Sequence, residues 1–170
     1  RVNSDFQTDI PHIYAVGDVV GFPALASTGM RQGRDAASHA FGLMDKSSDV
    51  ALPFGIWTIP ELALVGETED SLTEKAIPYE TGVARYREIA RGLLLGDEIG
   101  MLKLLIHRET RELLGVHVMG EGAIEILHLG QAVLHLKGGL DYFISSVFNY
   151  PTLTECYTVA ALDGLNKLRQ

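Results

Sequence analysis

Tyr150 and Glu155 stand five residues apart in the segment NYPTLTE, and both side-chain types occur in proton-transfer chemistry. The local sequence favours a structural interpretation. Residues 152–155 fit a capping box, in which the Thr152 hydroxyl accepts from the N–H of residue 155 and the Glu155 carboxylate accepts from the N–H of residue 152. Pro151 disfavours helical backbone at Tyr150, so the chain reaches the helix in an extended conformation.

Gly17 and Asp18 follow the short apolar run HIYAV, residues 12–16, which predicts a buried strand that ends in a tight turn. Ligands of open α/β sheets bind beyond the carboxyl ends of strands, where the Asp18 carboxylate could accept hydrogen bonds from sugar or polyol hydroxyls. The helix predicted next begins near Leu25 and Ala26 and presents free N–H groups and a partial positive charge. Taken alone, Asp18 is more simply a turn residue.

Glu125 and His128 have the Glu-x-x-His spacing of di-metal helical bundles, and His135 lies two turns further on. Because the second motif and the further carboxylates that such a site needs are not evident, no metal site is predicted. His107 and His117 fall in a predicted hairpin and are expected to be packed or exposed rather than catalytic.

The composition excludes several classes of partner. The 170 residues are 46% hydrophobic and 21% charged, as in a globular protein, and the net charge is −8. The basic residues form no long run or stripe, so neither nucleic acid nor a membrane surface is an expected partner. Cys156, the only cysteine, excludes an intrachain disulfide, suits a cytoplasmic protein and is expected to pack in the interior.

The sequence has no apolar stretch long enough to span a membrane and no signal-peptide layout at its start. It lacks an initiator methionine and enters a predicted strand almost at once. We therefore expect that the chain begins inside a larger protein.

The chain is predicted to form two domains, residues 1–50 and 51–170. In the first, a helix is predicted from about Ala24 to Phe41, with Pro23 at its first position and Gly42 at its stop. The polar segment 43–52 is the predicted linker.

The second domain alternates short strands with helices, which predicts an α+β fold: an antiparallel sheet with helices on one side. The clearest elements are a hairpin with its turn near 109–111 and a long apolar helix, whose surface suggests burial by its own sheet and by a second subunit. The predicted elements are strands at FGIWTI, ELALVG and YETGVARY, a helix at TEDSLTEKAI capped by Thr68, the hairpin MLKLLIHRETRELLGVHVMG, the helix 121–136 and a helix after Thr152.

Three stretches together resemble the flavoprotein disulfide reductases, the family of glutathione reductase and lipoamide dehydrogenase. TDIPHIYAVGDVVGFPALA looks like the family's second FAD motif, and IPELALVGETE looks like the opening of its C-terminal interface domain. NYPTLTE falls on the His-Pro-Thr-x-x-Glu motif. Residues 1–50 would then be the last strand and helix of an FAD-binding α/β domain, and residues 51–170 the interface or dimerisation domain.

Tyr150 departs from the family pattern, in which a histidine before the proline pairs with the glutamate and exchanges protons with redox thiols across the dimer interface. A tyrosine, with a reference pKa of about 10, is a poor proton shuttle for thiols near neutral pH. One branch of the family, the soluble transhydrogenases, lacks the disulfide and is similar in FNYPT and AALDGLNKL. Tyr150 and Glu155 therefore occupy the positions of the family's catalytic pair.

The resemblance implies an FAD-dependent homodimer that moves hydride from NADPH to NAD+. Gly17, Asp18, Leu25 and Ala26 would contact FAD, and Tyr150 would reach the partner's flavin site. Two alternatives stay open: a disulfide reductase like lipoamide dehydrogenase or glutathione reductase, and a dimerisation module without activity of its own.

Overall fold

Alternating side chains in two neighbouring segments build the centre of the molecule. In the computed structural model, which describes residues 1–43 and 51–169, Leu102, Leu104 and Ile106 point to the buried side of one strand, and Val116 and Val118 do so on the next. This period of two is typical of a strand with one face on the core. The predicted hairpin is confirmed.

The hairpin lies within a five-stranded antiparallel sheet of order β1-β2-β5-β4-β3. A register shift between Leu105 and Ile106 lets Leu105 pair with Gly115 and Ile106 with Leu113. The strands are β1 Phe54–Ile56, β2 Leu62–Gly66, β3 Tyr79–Arg85, β4 Met101–His107 and β5 Leu113–Met119.

Two long helices of the C-terminal part pack on the core face of the sheet, and the short helix between them in sequence packs against the second, so the predicted α+β architecture is confirmed. Lys103 alternates with the buried Leu102 and Leu104, and it forms an ion pair with Glu69, the first residue of α2. The short helix α2 therefore starts on the opposite face. The helices are α1 Ala26–Ala40, α2 Glu69–Glu74, α3 Ala90–Leu95, α4 Ala123–His135, α5 Leu140–Ser145 and α6 Glu155–Leu168.

The chain divides into two compact units, Arg1–Val50 and Ala51–Gln170. Most of the segment predicted as a linker, residues 44–50, lies outside the described residues. Within residues 1–43 and 51–169, no helix has the length and apolar content that crossing a bilayer requires.

The strand predicted at residues 12–16 does not form. Tyr14 makes one isolated bridge with Gln7, and Ile13 is 44% exposed rather than buried. A buried parallel strand needs partner strands on its sides, and residues 1–43 supply only this bridge. The helix that follows is confirmed, but Pro23 lies before it rather than in its first turn, and Leu25 is its N-cap.

Candidate functional site

The turn at Gly17–Val20 and the start of α1 form the first candidate site, in the N-terminal unit. Gly17 has φ +75°, and its N–H donates to Gln32 Oε1 at 2.7 Å. Gly29, in the first turns of α1, approaches so closely that an added Cβ there would lie 3.2 Å from Gly17 Cα. The structure therefore holds the turn against the beginning of the helix.

Two kinds of hydrogen-bonding group face outward at this place. Asp18 is exposed, and its backbone carbonyl accepts the N–H of Gly21, which closes the turn and leaves the carboxylate outside it. Leu25 gives α1 no side-chain cap, so the N–H groups of the first turn, beginning at Ala26, keep the donor capacity of an open helix N-terminus. One carboxylate acceptor and a row of N–H donors can bind a ligand that carries hydroxyls and a heterocyclic edge.

Gln32 was missed by the sequence interpretation. It is a buried polar residue of α1 whose side chain fixes the Gly17 backbone. The sequence around Gln32 contains no recognisable motif. Its role becomes visible only when the Gly17–Val20 turn is seen packed on α1.

The loop between α5 and α6 forms the second candidate site, in the C-terminal unit. Tyr150 is 74% exposed. Glu155 accepts a hydrogen bond at Oε2 from the N–H of Thr152, 3.2 Å away, rather than from Tyr150. The structure thus brings Glu155 to the loop backbone but does not join it to the tyrosine as an acid–base pair.

The predicted capping box at α6 is half right. The Thr152 N–H donates to Glu155 as expected, but the Thr152 hydroxyl donates to the carbonyl of Asn149 at 2.9 Å instead of accepting from residue 155. The N-cap is Thr154, whose side chain makes no capping hydrogen bond. A complete capping box forms at α2, where Thr68 and Ser71 bond reciprocally.

Cys156 packs in the interior, as expected, with none of its surface exposed. Burial, assisted by the negative charge of Glu155, raises the pKa of its thiol to about 12. The thiol therefore stays protonated and unreactive near neutral pH.

Three of the histidines have structural partners. His117 Nε2 lies 3.0 Å from the carbonyl oxygen of Glu67, and burial lowers the pKa of its ring. His107 Nδ1 accepts two N–H groups of the hairpin turn. His128 Nδ1 lies 2.9 Å from Gln131 Oε1. Within the described ranges, no group of three or more His, Cys, Asp or Glu side chains is close enough to hold a metal ion.

Comparison with known proteins matches the model of the pyridine nucleotide-disulphide oxidoreductase dimerisation domain to residues 52–161. The chain is 56% identical over 168 residues to a protein named soluble pyridine nucleotide transhydrogenase from Mycobacterium tuberculosis, covering 99% of this chain and 36% of that protein. It is 51% identical over 173 residues to one of the same name from Klebsiella pneumoniae, covering 99% and 37%. The chain thus spans about a third of the length of these relatives.

Solved structures with a similar fold include LpdA and RclA. LpdA from Mycobacterium tuberculosis is 26% identical with a TM-score of 0.84, over 95% of this chain and 35% of that one. RclA from Escherichia coli, an HOCl-induced flavoprotein disulfide reductase, is 20% identical with a TM-score of 0.88, over 95% and 38%. The likeness to RclA shows the shared fold alone.

Proposed function

Because the chain belongs to the pyridine nucleotide-disulphide oxidoreductase family, we propose that it forms part of an FAD-dependent transhydrogenase that moves hydride from NADPH to NAD+. The expected family is confirmed by the match over residues 52–161. The relatives at 51% and 56% identity carry the name soluble pyridine nucleotide transhydrogenase and support this activity over others in the family.

One observation favours a transhydrogenase over a disulfide reductase: the hydrogen bonding and exposure of Glu155 and Tyr150 in the α5–α6 loop. Glu155 is bonded to the loop backbone, and Tyr150 extends outward with no carboxylate partner among residues 1–43 and 51–169. Thiol–disulfide exchange needs a group that takes up and returns a proton, whereas hydride transfer depends on the alignment of two rings. Tyr150 then acts as a packing or hydrogen-bonding group rather than as a proton shuttle.

The residues of the first site fit FAD. The exposed carboxylate of Asp18 would accept from the hydroxyls of the ribityl chain, and the open N-terminus of α1 at Leu25 and Ala26 would donate to the pyrimidine edge of the ring. The positive end of the helix favours negative charge at that edge. An added Cβ at Gly17 would meet nothing within 4 Å, so the turn leaves open space for a ligand. FAD would supply the hydride chemistry, and these residues bind and orient it.

The proposed division of labour follows the two units. Residues 1–50 supply one segment of the FAD domain. Residues 51–170 form the interface domain of a homodimer and present Tyr150 to the flavin site of the partner subunit.

The activity is tested in the full-length protein by steady-state kinetics with NADPH as donor and thio-NAD+ as acceptor. We expect NADPH-dependent reduction of thio-NAD+ and no reduction of lipoamide or glutathione disulfide. Disulfide reduction at a comparable rate would contradict the proposal in favour of the other branch. Failure to reduce either acceptor would favour a dimerisation module without activity.

The FAD assignment is tested separately by fluorescence titration of the full-length apoprotein. Asp18→Ala should weaken FAD binding roughly tenfold or more, because a charge-assisted hydrogen bond contributes about 1.5–3 kcal/mol. Asp9→Ala, at another exposed carboxylate of the same unit, is the control and should leave the affinity unchanged. If wild type and Asp18→Ala bind FAD with equal affinity, Asp18 has only a structural role in the turn and does not contact FAD.

A further inference from the structure

The position of Tyr150 depends on the backbone of its loop. The side chain is 74% exposed, and its hydroxyl makes no hydrogen bond within the described part of the chain. An exposed tyrosine that must meet a second molecule in one orientation needs its backbone fixed in advance, because ordering it during binding costs entropy.

The Thr152 side chain fixes that backbone. Its hydroxyl donates to the carbonyl of Asn149 at 2.9 Å, and its N–H donates to Glu155 Oε2 at 3.2 Å. The first bond closes a short ring of backbone around Tyr150 and Pro151. The second ties that ring to the first turn of α6.

The residues on either side of this hydrogen-bonded ring are anchored in the core. Phe148 packs against the core cluster and lies edge-on to Tyr142, with ring centroids 6.4 Å apart. Leu153 packs on the same cluster on the other side. The Thr158 hydroxyl donates to the carbonyl of Phe143 at 3.2 Å, which joins α6 to α5. Between these anchors, the hydroxyl of Thr152 bonds directly to the carbonyl of Asn149, the residue before Tyr150.

We propose that Thr152 is a positioning residue for the Tyr150 site: its hydroxyl holds the Asn149 carbonyl and so sets the direction in which Tyr150 leaves the chain. The proposal rests on the proposed function, in which Tyr150 lines the partner's flavin site. Thr152 itself touches neither substrate nor cofactor in this scheme and acts through Tyr150.

The first test is a set of substitutions in the full-length protein. Thr152→Val removes the hydroxyl at constant shape and should lower kcat about three- to tenfold with the KM for NADPH within twofold. Thr152→Ser keeps the hydroxyl and should restore the rate. The matched control is Thr154→Val, two residues on, because the Thr154 side chain makes no capping hydrogen bond; it should leave kcat unchanged.

A double-substitution cycle separates positioning from general damage. If Thr152 acts through Tyr150, then Thr152→Val should have no further effect on kcat in a Tyr150→Ala background. Effects of the two substitutions that multiply, or a failure of Thr152→Ser to restore the rate, would overturn the proposal. An unchanged kcat in Thr152→Val would overturn it as well.

The second test needs no cofactor or activity. In the 170-residue chain, ¹⁵N relaxation should show order parameters of residues 147–150 falling in Thr152→Val and not in Thr154→Val. Unchanged order parameters would overturn the proposal even if the enzyme assay fails. Lack of transhydrogenation in the wild-type full-length protein, with the loop response present, would contradict the proposed function and leave the loop mechanism supported.

Discussion

Tyr157 shows at residue scale how one hydroxyl joins the two long helices beneath the site. It accepts the N–H of Gly130 at 3.0 Å and donates to the carbonyl of Ile126 at 2.8 Å, both in α4, while its ring stacks on Phe143 with centroids 4.8 Å apart. A glycine is required at 130, because an added Cβ would lie 2.6 Å from Val116 Cγ2 and 2.8 Å from this hydroxyl. Burial raises the pKa of Tyr157, so the hydroxyl keeps its proton and can donate.

Tyr157→Phe should therefore destabilise the chain by about 1–3 kcal/mol, because the buried hydrogen bonds of the hydroxyl with Gly130 and Ile126 are lost. Urea denaturation of the 170-residue chain measures the change. Tyr142→Phe, on a half-exposed tyrosine, is the control and should stay within about 0.5 kcal/mol. Equal losses in the two variants would mean that the hydroxyl of Tyr157 contributes nothing specific.

His117 predicts a pH dependence of stability. Burial lowers the pKa of its ring below the usual 6.5, against a smaller opposing effect of the hydrogen bond to the Glu67 carbonyl, and Lys103 and Glu69 lie beside it. The unfolded chain then binds a proton more readily than the folded chain, so stability is greatest above pH 6.5 and falls as the pH drops below it. His117→Gln should flatten the curve of unfolding free energy between pH 5.5 and 7, and an unchanged slope would contradict this origin.

The lowered pKa values of two carboxyl groups act in a different pH range. Lys75 lowers the pKa of Glu67, mainly through its hydrogen bond, and Lys103 does the same for Glu69. Stability from these carboxylates is present above their usual pKa of 4.5 and is lost as the pH falls through the lowered values. The loss below pH 4.5 should therefore persist in His117→Gln.

The capping boxes show what sequence can predict for single residues. Thr68 was predicted as the cap of α2 and is one, whereas Thr152 matched the same pattern and forms only half of it. A threonine hydroxyl can donate as well as accept. At Thr152 the hydroxyl donates a hydrogen bond to the Asn149 carbonyl, which the loop brings back toward it. A one-dimensional pattern does not contain that geometry.

At the scale of elements, periodicity predicted the long helices and the strands of the sheet. The six-residue helices α3 and α5 were missed, because one and a half turns give too short a pattern to separate from a loop and neither has a side-chain cap like that of α2, which is equally short but was predicted from Thr68. The strand predicted at residues 12–16 failed for a different reason: an apolar run becomes a strand only where partner strands exist.

Gly82 and Gly164 let α6 cross β3 at close range. An added Cβ at Gly82 would overlap the carbonyl oxygen of Ala160 and lie 3.1 Å from the backbone nitrogen of Gly164. Backbone atoms in a packed helix cannot move aside as a flexible side chain can. This close contact fixes the position of α6, and the loop that contains Tyr150 leads directly into the first turn of α6.

Gly82→Ala should therefore lower the unfolding free energy by more than about 2 kcal/mol, in the range of overpacked cores. Differential scanning calorimetry of the 170-residue chain measures it. Gly33→Ala is the matched control, since an added Cβ in the middle of α1 meets nothing within 4 Å and alanine favours helix by about 0.5–1 kcal/mol. A mild effect of Gly82→Ala would show that the crossing adjusts easily.

At the scale of the whole molecule, the dimer contact predicted through helix 121–136 and the neighbouring sheet stays a prediction, although one chain already covers part of that helix. Leu127 is only 1% exposed within a single chain, and Leu134 packs against the core. The sheet of the same chain covers the apolar side of α4, and the outward side carries Glu125 and His128. The hydrophobic periodicity of the sequence showed that the helix is strongly apolar. It did not show how much of the helix surface the sheet of the same chain buries.

Val147 and Tyr150 are the exposed apolar side chains of the α5–α6 loop, and Leu162 is exposed on α6. Val147, at 98% exposure, has almost no contact with its own chain. We therefore place the proposed homodimer contact on the side of the molecule that carries this loop. In a two-fold interface each residue occurs twice, so one substitution there acts at two places.

Val147→Asp should then separate the full-length dimer into monomers at micromolar concentration, because it puts two unpaired carboxylates into one interface and weakens association by about a hundredfold or more. Size-exclusion chromatography with light scattering measures the mass. Leu94→Asp, on the exposed surface of α3, adds the same charge at another exposed apolar residue and should leave the dimer intact. A monomeric wild type would contradict the homodimer, and a Val147→Asp dimer as stable as the control would move the contact to another surface.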